Sequence, residues 1–558
     1  MTSPVNSLQP PPAREESIAG AEDPGALDTM SMLGSAARIA TQLPSVAGAG
    51  LRLAGDLLRV AAGSSDVEPA RNDWRFADPT WAENPLYRRL MQAYLAASKA
   101  VNGLIEDADL DDWRQREQAR FLASMVTSTL APTNTLLGNP AALKRTMETG
   151  GVNLVHGFRH WLDDLRHNGG LPSQVDRSEF VVGQDVALSP GAVVFRDEVL
   201  ELIQYNPSTP QVHNRPLLIV PPQINKFYIM DLTHGRSMIE YAVSRGVQTF
   251  AISWRNPGQE QATWDLDTYG TSILDAIDAA RAITDSADVN VFGLCAGGIT
   301  IATVLNHLAA TADDRVHCAS FGVTLLDWSD PSMIGAFSTP TVLGLAQRQS
   351  RRGVFPGQSM ASVFTWMRPN DLIWNYWVNN YLMGNKPKPF DILAWNNDKT
   401  NLPAALHSQF LEVFKHNSLT RPGRLTVLGS PIDLSKVEID TFITGGTTDH
   451  ITPWRGCYRS TRLFGGKTEF VLAKSGHVQT LVSPVENPRA VHWVGGTPGP
   501  DPDDWRAAAE ARKGSWWQAW LDWVTERSGP EHAAPRAVGG DSHPPLDPAP
   551  GTYVHRQA

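Results

Sequence analysis

The chain has 558 residues, 42% of them hydrophobic and 19% charged, an ordinary balance for a globular protein and a length beyond one usual domain. Its formal net charge of −10, without any basic run, argues against nucleic acid as the main partner. Only Cys295, Cys318 and Cys457 are cysteines, which argues against a disulfide framework and for a reducing cytoplasm.

The opening MTSPVNSLQPPPAREES has neither the basic start nor the apolar core of a signal peptide. No stretch reaches the roughly 18 uninterrupted apolar residues that a membrane-spanning helix needs. Residues 1–28, rich in Pro, Glu, Ala and Gly, are expected to lack fixed structure. Residues 29–175 read as a helical domain. Within it Met30 to Ala62 suggests two short helices interrupted by Pro44 and several glycines, a surface-seeking amphipathic segment being the other reading. NPLYRRLMQAYLAASKAVNGLI and WRQREQARFLASMVTSTLAPTNTLL place apolar side chains three and four apart, until Pro132 ends the second run.

After NGGLPSQ the texture changes. β-rich runs are expected at Phe180–Leu188, Ala192–Tyr205, Pro216–Pro221, Val247–Trp254, Val289–Leu294, Ala319–Leu326, Glu438–Thr444 and Thr468–Ala473. Helix-patterned stretches such as GTSILDAIDAARAITDS separate several of them. The alternation predicts an α/β fold over 176–528, a mostly parallel sheet with helices on both faces. The stretch from Leu326 to Glu438 is too long for a simple connection. Dense in tryptophan at Trp366, Trp374, Trp377 and Trp395, it is expected to form a cap, about 328–436, over one end of the sheet. SWWQAWLDWVTERSG reads as an aromatic helix and 529–558 as a tail.

One short stretch carries chemistry. In VNVFGLCAGGIT a β-like run meets a helical one at Cys295, with Gly293 and Gly297 on either side. A nucleophile elbow makes this demand, because its turn is too tight for flanking side chains and raises the nucleophile above the carboxyl edge of the sheet. The first helical amides behind it would supply an oxyanion donor. A small buried residue at a tight turn would look the same, so a base and an orienting acid are the test. Hydrolases of this architecture order their triads as nucleophile, acid, histidine. VEIDTFITGGTTDHITP runs from a strand into a loop with Asp449 and His450, and KTEFVLAKSGHVQT runs from another into a loop with His477. Both lie where ligands bind in open α/β sheets. Asp449 alone is more readily a turn former, but the three residues in this order point to an active site. His317 and Cys457 lack such a setting and read as structural. No metal-ligand spacing occurs, and no metal or cofactor is expected.

GLCAGG, PPQINKFYIMDL, ISWRNP, MRPNDLIWNYWVNNYL, FDILAWNND, GGTTDHITPW, LFGG and SGHVQT together closely resemble the polyhydroxyalkanoate (PHA) synthases. The likeness runs from about Asp73 to Trp523 and returns at PGTYVH. NPLYRRLMQAYLA, APTNTLLGNPAALKR and GAVVFRDEVLELIQY look most like class II, the single-subunit enzymes that favour medium-length side chains. The resemblance implies an α/β-hydrolase fold and an acyltransferase that polymerises (R)-3-hydroxyacyl-CoA into a polyester on the surface of storage granules. It assigns Cys295 as nucleophile, Asp449 as acid and His477 as base. His450 falls at a family position where a supporting or a structural role is open. Oxyanion donors would be the backbone N–H groups of Ala296 and of the PPQIN loop, near Gln223 or Ile224. The insertion corresponds to the family's cap, which implies shielding of the site and a homodimer. For the CoA phosphates the sequence offers Lys226 and Arg255 as candidates. A cysteine-nucleophile thioesterase or esterase of the same fold would share every triad residue.

Overall fold

The computed structural model describes residues 43–558, apart from 111, 338–343, 345–347, 349–352 and 558. Expectations for residues 1–42 lie outside the described residues. The first described element is a continuous helix, α1 (Leu43–Ala62), with Pro44 in its first turn, where the missing N–H costs nothing. Further helices follow, among them α2 (Pro85–Glu106), α3 (Trp113–Thr129), α4 (Pro140–Glu148) and α5 (Val152–His167). The side chains of Asn84, Asp112 and Asn139 cap α2, α3 and α4 by accepting first-turn amides.

The centre of the chain is a 10-stranded sheet. Its strands are β1 (Gly191–Arg196), β2 (Leu200–Tyr205), β3 (Leu217–Val220), β4 (Thr249–Trp254), β5 (Val289–Leu294), β6 (Val316–Gly322), β7 (Asp440–Gly446), β8 (Thr468–Ala473), β9 (Val491–Val494) and β10 (Glu510–Lys513). Their spatial order is β1-β2-β4-β3-β5-β6-β7-β8-β9-β10. The strands from β4 through β8 pair in parallel, while β1, β2, β9 and β10 add antiparallel edges. Every residue of β3, β4 and β5 is buried, as expected of strands covered on both faces. Alternate residues serve opposite faces: Leu218, Val220 and Val291 join one core cluster, and Leu217, Ile219 and Phe292 the other. The first face is covered by α6 (Leu266–Thr284) and α7 (Ala296–Thr311), and the second by the tryptophan-rich helix Trp516–Thr525. Trp520 of that helix packs on Phe292 and donates its indole N–H to Ser320 Oγ at 3.0 Å.

Several local readings of the sequence need correction. Phe180–Leu188 is no strand: Gly183 turns at φ 84°, the Asp185 carboxylate accepts the Val181 amide, and a single bridge joins Val182 to Val186. Ala192–Tyr205 is a hairpin, not one run. It breaks at Asp197, whose carboxylate accepts the amides of Val199 and Leu200 at 2.7 Å each. The run placed at Ala319–Leu326 starts earlier and ends at Gly322, because Val323 takes φ 43°. The segment 529–558, expected as a tail, packs on the domain: Glu531–Ala533 pairs with Gln211–His213, and Leu546 donates its amide to the carbonyl of Val193 in β1.

Between β6 and β7 the chain leaves the sheet. Here Asn370–Trp374 and Trp377–Leu382 wind as π turns, the first against α3 and the second against α5, and polar bonds join the second to α5. Asn153 Nδ2 donates to Leu382 O and Tyr381 OH to Asp164 Oδ2, both at 2.7 Å. Further on, Trp395 Nε1 donates to the Lys226 carbonyl at 2.7 Å and Asn225 bridges to Lys399, which seats this excursion on the loop after β3.

Candidate active site

β5 ends at Leu294, α7 begins at Ala296, and Cys295 between them takes φ 48°, ψ −119°. A non-glycine residue held there costs on the order of 1–3 kcal/mol. The surroundings over-determine it: its amide donates to Gly322 O at 3.0 Å and its carbonyl accepts from Gly298 N at 3.0 Å. The neighbouring glycines are sterically required. A Cβ on residue 293 would lie 2.7 Å from Gly298 Cα, and one on residue 297 would lie 2.4 Å from Pro221 O.

Asp449 follows the end of β7, and His477 opens the short helix Trp516 braces after β8, where the indole Nε1 donates to Thr480 O at 2.8 Å. The structure brings both residues to Cys295. His477 Nδ1 donates to Asp449 Oδ2 at 2.7 Å, and the Cys295 sulfur acts electrostatically on the same ring. Asp449 and His477 are buried, while Cys295 is half-buried.

Thr452 completes the carboxylate's shell, a residue the sequence reading missed. Its hydroxyl donates to Asp449 Oδ2 at 2.8 Å and stands 3.2 Å from His477 Nδ1. The amides of Ile451 and Thr452 both donate to Asp449 Oδ1 at 2.9 Å. The signal was present in the Asp-His-Ile-Thr spacing, since an aspartate with Thr three residues on is a local capping pattern.

The electrostatics follow from this packing. Burial would raise the Asp449 carboxyl, but the His477 imidazolium and the hydrogen bonds from His477 and Thr452 hold it below the usual carboxylate range. Burial disfavours a charged His477 ring, yet the Asp449 carboxylate and the Cys295 sulfur outweigh it and push the ring up to about 10. His450 is pushed down to about 4, chiefly by burial against the Asp449 charge, with Arg368 adding to the fall. Its ring is therefore neutral near pH 7.

The PPQIN loop passes against the elbow. Gln223 Nε2 donates to Thr300 Oγ1 at 3.0 Å, and Thr300 Oγ1 donates to Ala296 O at 3.3 Å, so loop and first turn of α7 are tied together. Lys226 is 4% exposed and donates Nζ to Arg556 O at 2.6 Å, so it does not present its charge to solvent phosphates. Cys457 is fully buried, its thiol raised well above the ordinary value by burial. His317 lies 3.7 Å from Asp288, away from this cluster. Among the described residues no group of three or more His, Cys, Asp or Glu is placed to hold a metal ion.

A parallel sheet with a strained cysteine between strand and helix, followed by acid and histidine, defines the alpha/beta hydrolase fold, and the model of that fold matches residues 216–484. A second family model, described as "Poly-beta-hydroxybutyrate polymerase (PhaC) N-terminus", matches residues 72–242. Poly(3-hydroxyalkanoate) polymerase 2 of Ectopseudomonas oleovorans is 50% identical over 506 residues, 90% of each chain. Polymerase 1 of that organism is 48% identical over 503 residues, again 90% of each. The polymerase subunit of Cupriavidus necator is 38% identical over 508 residues, 89% of this chain and 86% of its own. This chain belongs to the poly(3-hydroxyalkanoate) polymerase family, as its motifs led one to expect.

Proposed function

We propose that this chain, an acyltransferase by family, polymerises (R)-3-hydroxyacyl groups from CoA thioesters through a covalent acyl-Cys295 intermediate. The observation that carries this reading is the strained Cys295 whose sulfur acts on the His477 ring, itself held by Asp449 at 2.7 Å. Sulfur attacks the acyl carbon with its proton already held on the His477 ring. The N–H groups of Ala296 and Ile224 hold the developing oxyanion, the C–S bond to CoA breaks, and the proton passes to the departing thiolate. A thiol suits this exchange because one thioester replaces another at nearly equal energy, leaving the acyl group activated. A 3-hydroxyl oxygen then attacks acyl-Cys295, with His477 or Asp449 receiving its proton, and an ester bond replaces the thioester.

His450, neutral beside Asp449, has a supporting role in this reading. The class II-like wording of NPLYRRLMQAYLA, APTNTLLGNPAALKR and GAVVFRDEVLELIQY supports a preference for medium-length monomers with short ones tolerated. The chain acts as a homodimer on the surface of polyester granules in the cytoplasm. The exposed apolar side chains of Leu51 and Leu58 on α1 and Phe158 on α5 support contact with an apolar surface, whereas no described helix is long and apolar enough to cross a membrane.

The test supplies 3-hydroxybutyryl-CoA and 3-hydroxydecanoyl-CoA side by side and follows CoA release and product. Polymer from the longer monomer is expected. Free hydroxy acid as the sole product would identify a cysteine thioesterase instead, a reading that family membership does not favour. Cys295→Ala retaining full CoA release would overturn the assigned nucleophile.

A further inference from the structure

The last residues of the chain take no part in this chemistry, yet they are bound to the loop beside it. Glu201, fully buried in β2, accepts the amide of Thr552 at 2.9 Å, its hydroxyl at 2.7 Å and the amide of Tyr553 at 2.9 Å. Tyr553 and Val554 are buried, and the Tyr553 hydroxyl donates to Asp197 O at 2.6 Å. Beyond this clamp the strand of chain crosses to the loop after β3. There Arg556 O accepts Lys226 Nζ at 2.6 Å and faces Asn256 Nδ2 at 3.5 Å.

Lys226 is an expensive residue in such a place. A buried ammonium stabilises a fold poorly compared with an apolar side chain of the same length. Burial lowers its pKa, while the buried Asp398 nearby draws it back up. What the residue does gain is connection: its side chain binds the carboxy-terminal segment, its carbonyl takes the Trp395 indole, and its neighbour Asn225 bridges to Lys399. Ile224 lies two residues before it.

We propose that Lys226 is a positioning residue for acyl transfer. Fastened by the Arg556 carbonyl, it fixes the loop that presents the Ile224 N–H to the oxyanion. The inference rests on the reading of Ile224 given above. A donor displaced by a fraction of an ångström still permits binding but meets the tetrahedral intermediate badly, so the loss should fall on the chemical step.

The experiment compares the full-length enzyme with Lys226→Met, with a chain ending at Val554, and with both changes combined. Initial CoA release from 3-hydroxydecanoyl-CoA gives kcat and KM, and thermal melting is recorded for each. Each single change is expected to lower kcat roughly tenfold with KM within about threefold, as for a donor moved rather than removed. The melting temperature of Lys226→Met should stay level or rise. Because both changes break one hydrogen bond, the double variant should fall no further than either single one. Unchanged kcat in Lys226→Met, a loss that tracks a lower melting temperature, or a double variant about 100-fold down would each overturn the proposal. If the shortened chain does not fold, Lys226→Met alone decides by the same split. A full-length parent that makes no polymer would instead overturn the reading of function.

Discussion

Thr452→Val removes one hydroxyl from the acid of the candidate site and changes its volume little. In the parent, Asp449 accepts four hydrogen bonds, two on each oxygen, and Oδ2 keeps only His477 when the Thr452 hydroxyl is lost. A hydrogen bond to a buried charge contributes about 1.5–3 kcal/mol, and that is the expected fall in stability near pH 7. At about 1.36 kcal/mol per pKa unit, the Asp449 carboxyl should rise by about 1–2 units. The sign follows from its depressed pKa: the stability it contributes is present above the ordinary value of 3.8 and is lost as pH falls through its own, lower one. The gap between parent and variant should therefore be widest near neutrality and close as the medium is acidified. Urea unfolding at several pH values measures it, and the acid limb of kcat/KM for CoA release should move upward in parallel. Thr452→Ser should restore both. A gap that is absent, or constant with pH, would refute the account of Thr452 as support for the charged acid.

Three further outcomes are expected. Gly297→Ala would force a Cβ to 2.4 Å from Pro221 O and 2.5 Å from Val220 O. Neither atom is a flexible side-chain end, so unfolding free energy should drop by about 1–3 kcal/mol, with CoA release lost more than stability. His477, raised to about 10, contributes stability that is full below the unfolded value of 6.5 and fades as pH climbs through 10. His477→Gln should flatten the decline in melting temperature between pH 7 and 10, and an unchanged slope would count against the paired imidazolium. His450, depressed to about 4, takes up its proton more readily unfolded, so stability falls as pH drops from 6.5 towards 4. His450→Gln should lessen that fall in a melting series.

The regular part of the fold was legible wherever burial was uniform. β5 and β8 lie at the residues where their apolar runs placed them, because strands covered on both faces read as unbroken hydrophobic stretches. The elbow was legible for a steric reason, two glycines around one cysteine. Errors arose where one polar contact overrides a pattern. Asp197 turns an apparent single strand into a hairpin, and Asp185 with Gly183 folds another into a loop. The edge strands β9 and β10 passed unnoticed, being short and, in β10, wholly exposed. The polar sequence after Gly529 looked like a tail because its anchors are distant: Glu201 and Lys226 meet residues 552–556 across more than three hundred positions. No spacing rule shows a contact made only in the folded chain.

The same distinction bears on how a hydrolase-like site can favour polymerisation. Cys295, His477 and Asp449 would serve water as readily as a hydroxyl, so the choice of acceptor must be made by what surrounds them. In the reading proposed above, a thioester that waits for the next monomer needs a dry, rigid setting. The excursion between β6 and β7 is held on the N-terminal helices by a part-buried bond from Asn153 to Leu382 and a buried one from Tyr381 to Asp164, and on the PPQIN loop through Trp395. Loosening such a contact should therefore leave the first acyl transfer largely intact and shift its product. Trp395→Phe keeps the ring in its place but deletes the indole donor to Lys226 O, a loss of about 1 kcal/mol in stability for a neutral hydrogen bond. Its expected signature is a larger share of free hydroxy acid among products at nearly unchanged CoA release, measured by separating polymer from soluble acid. An unaltered product ratio would mean that this contact does not govern access of water.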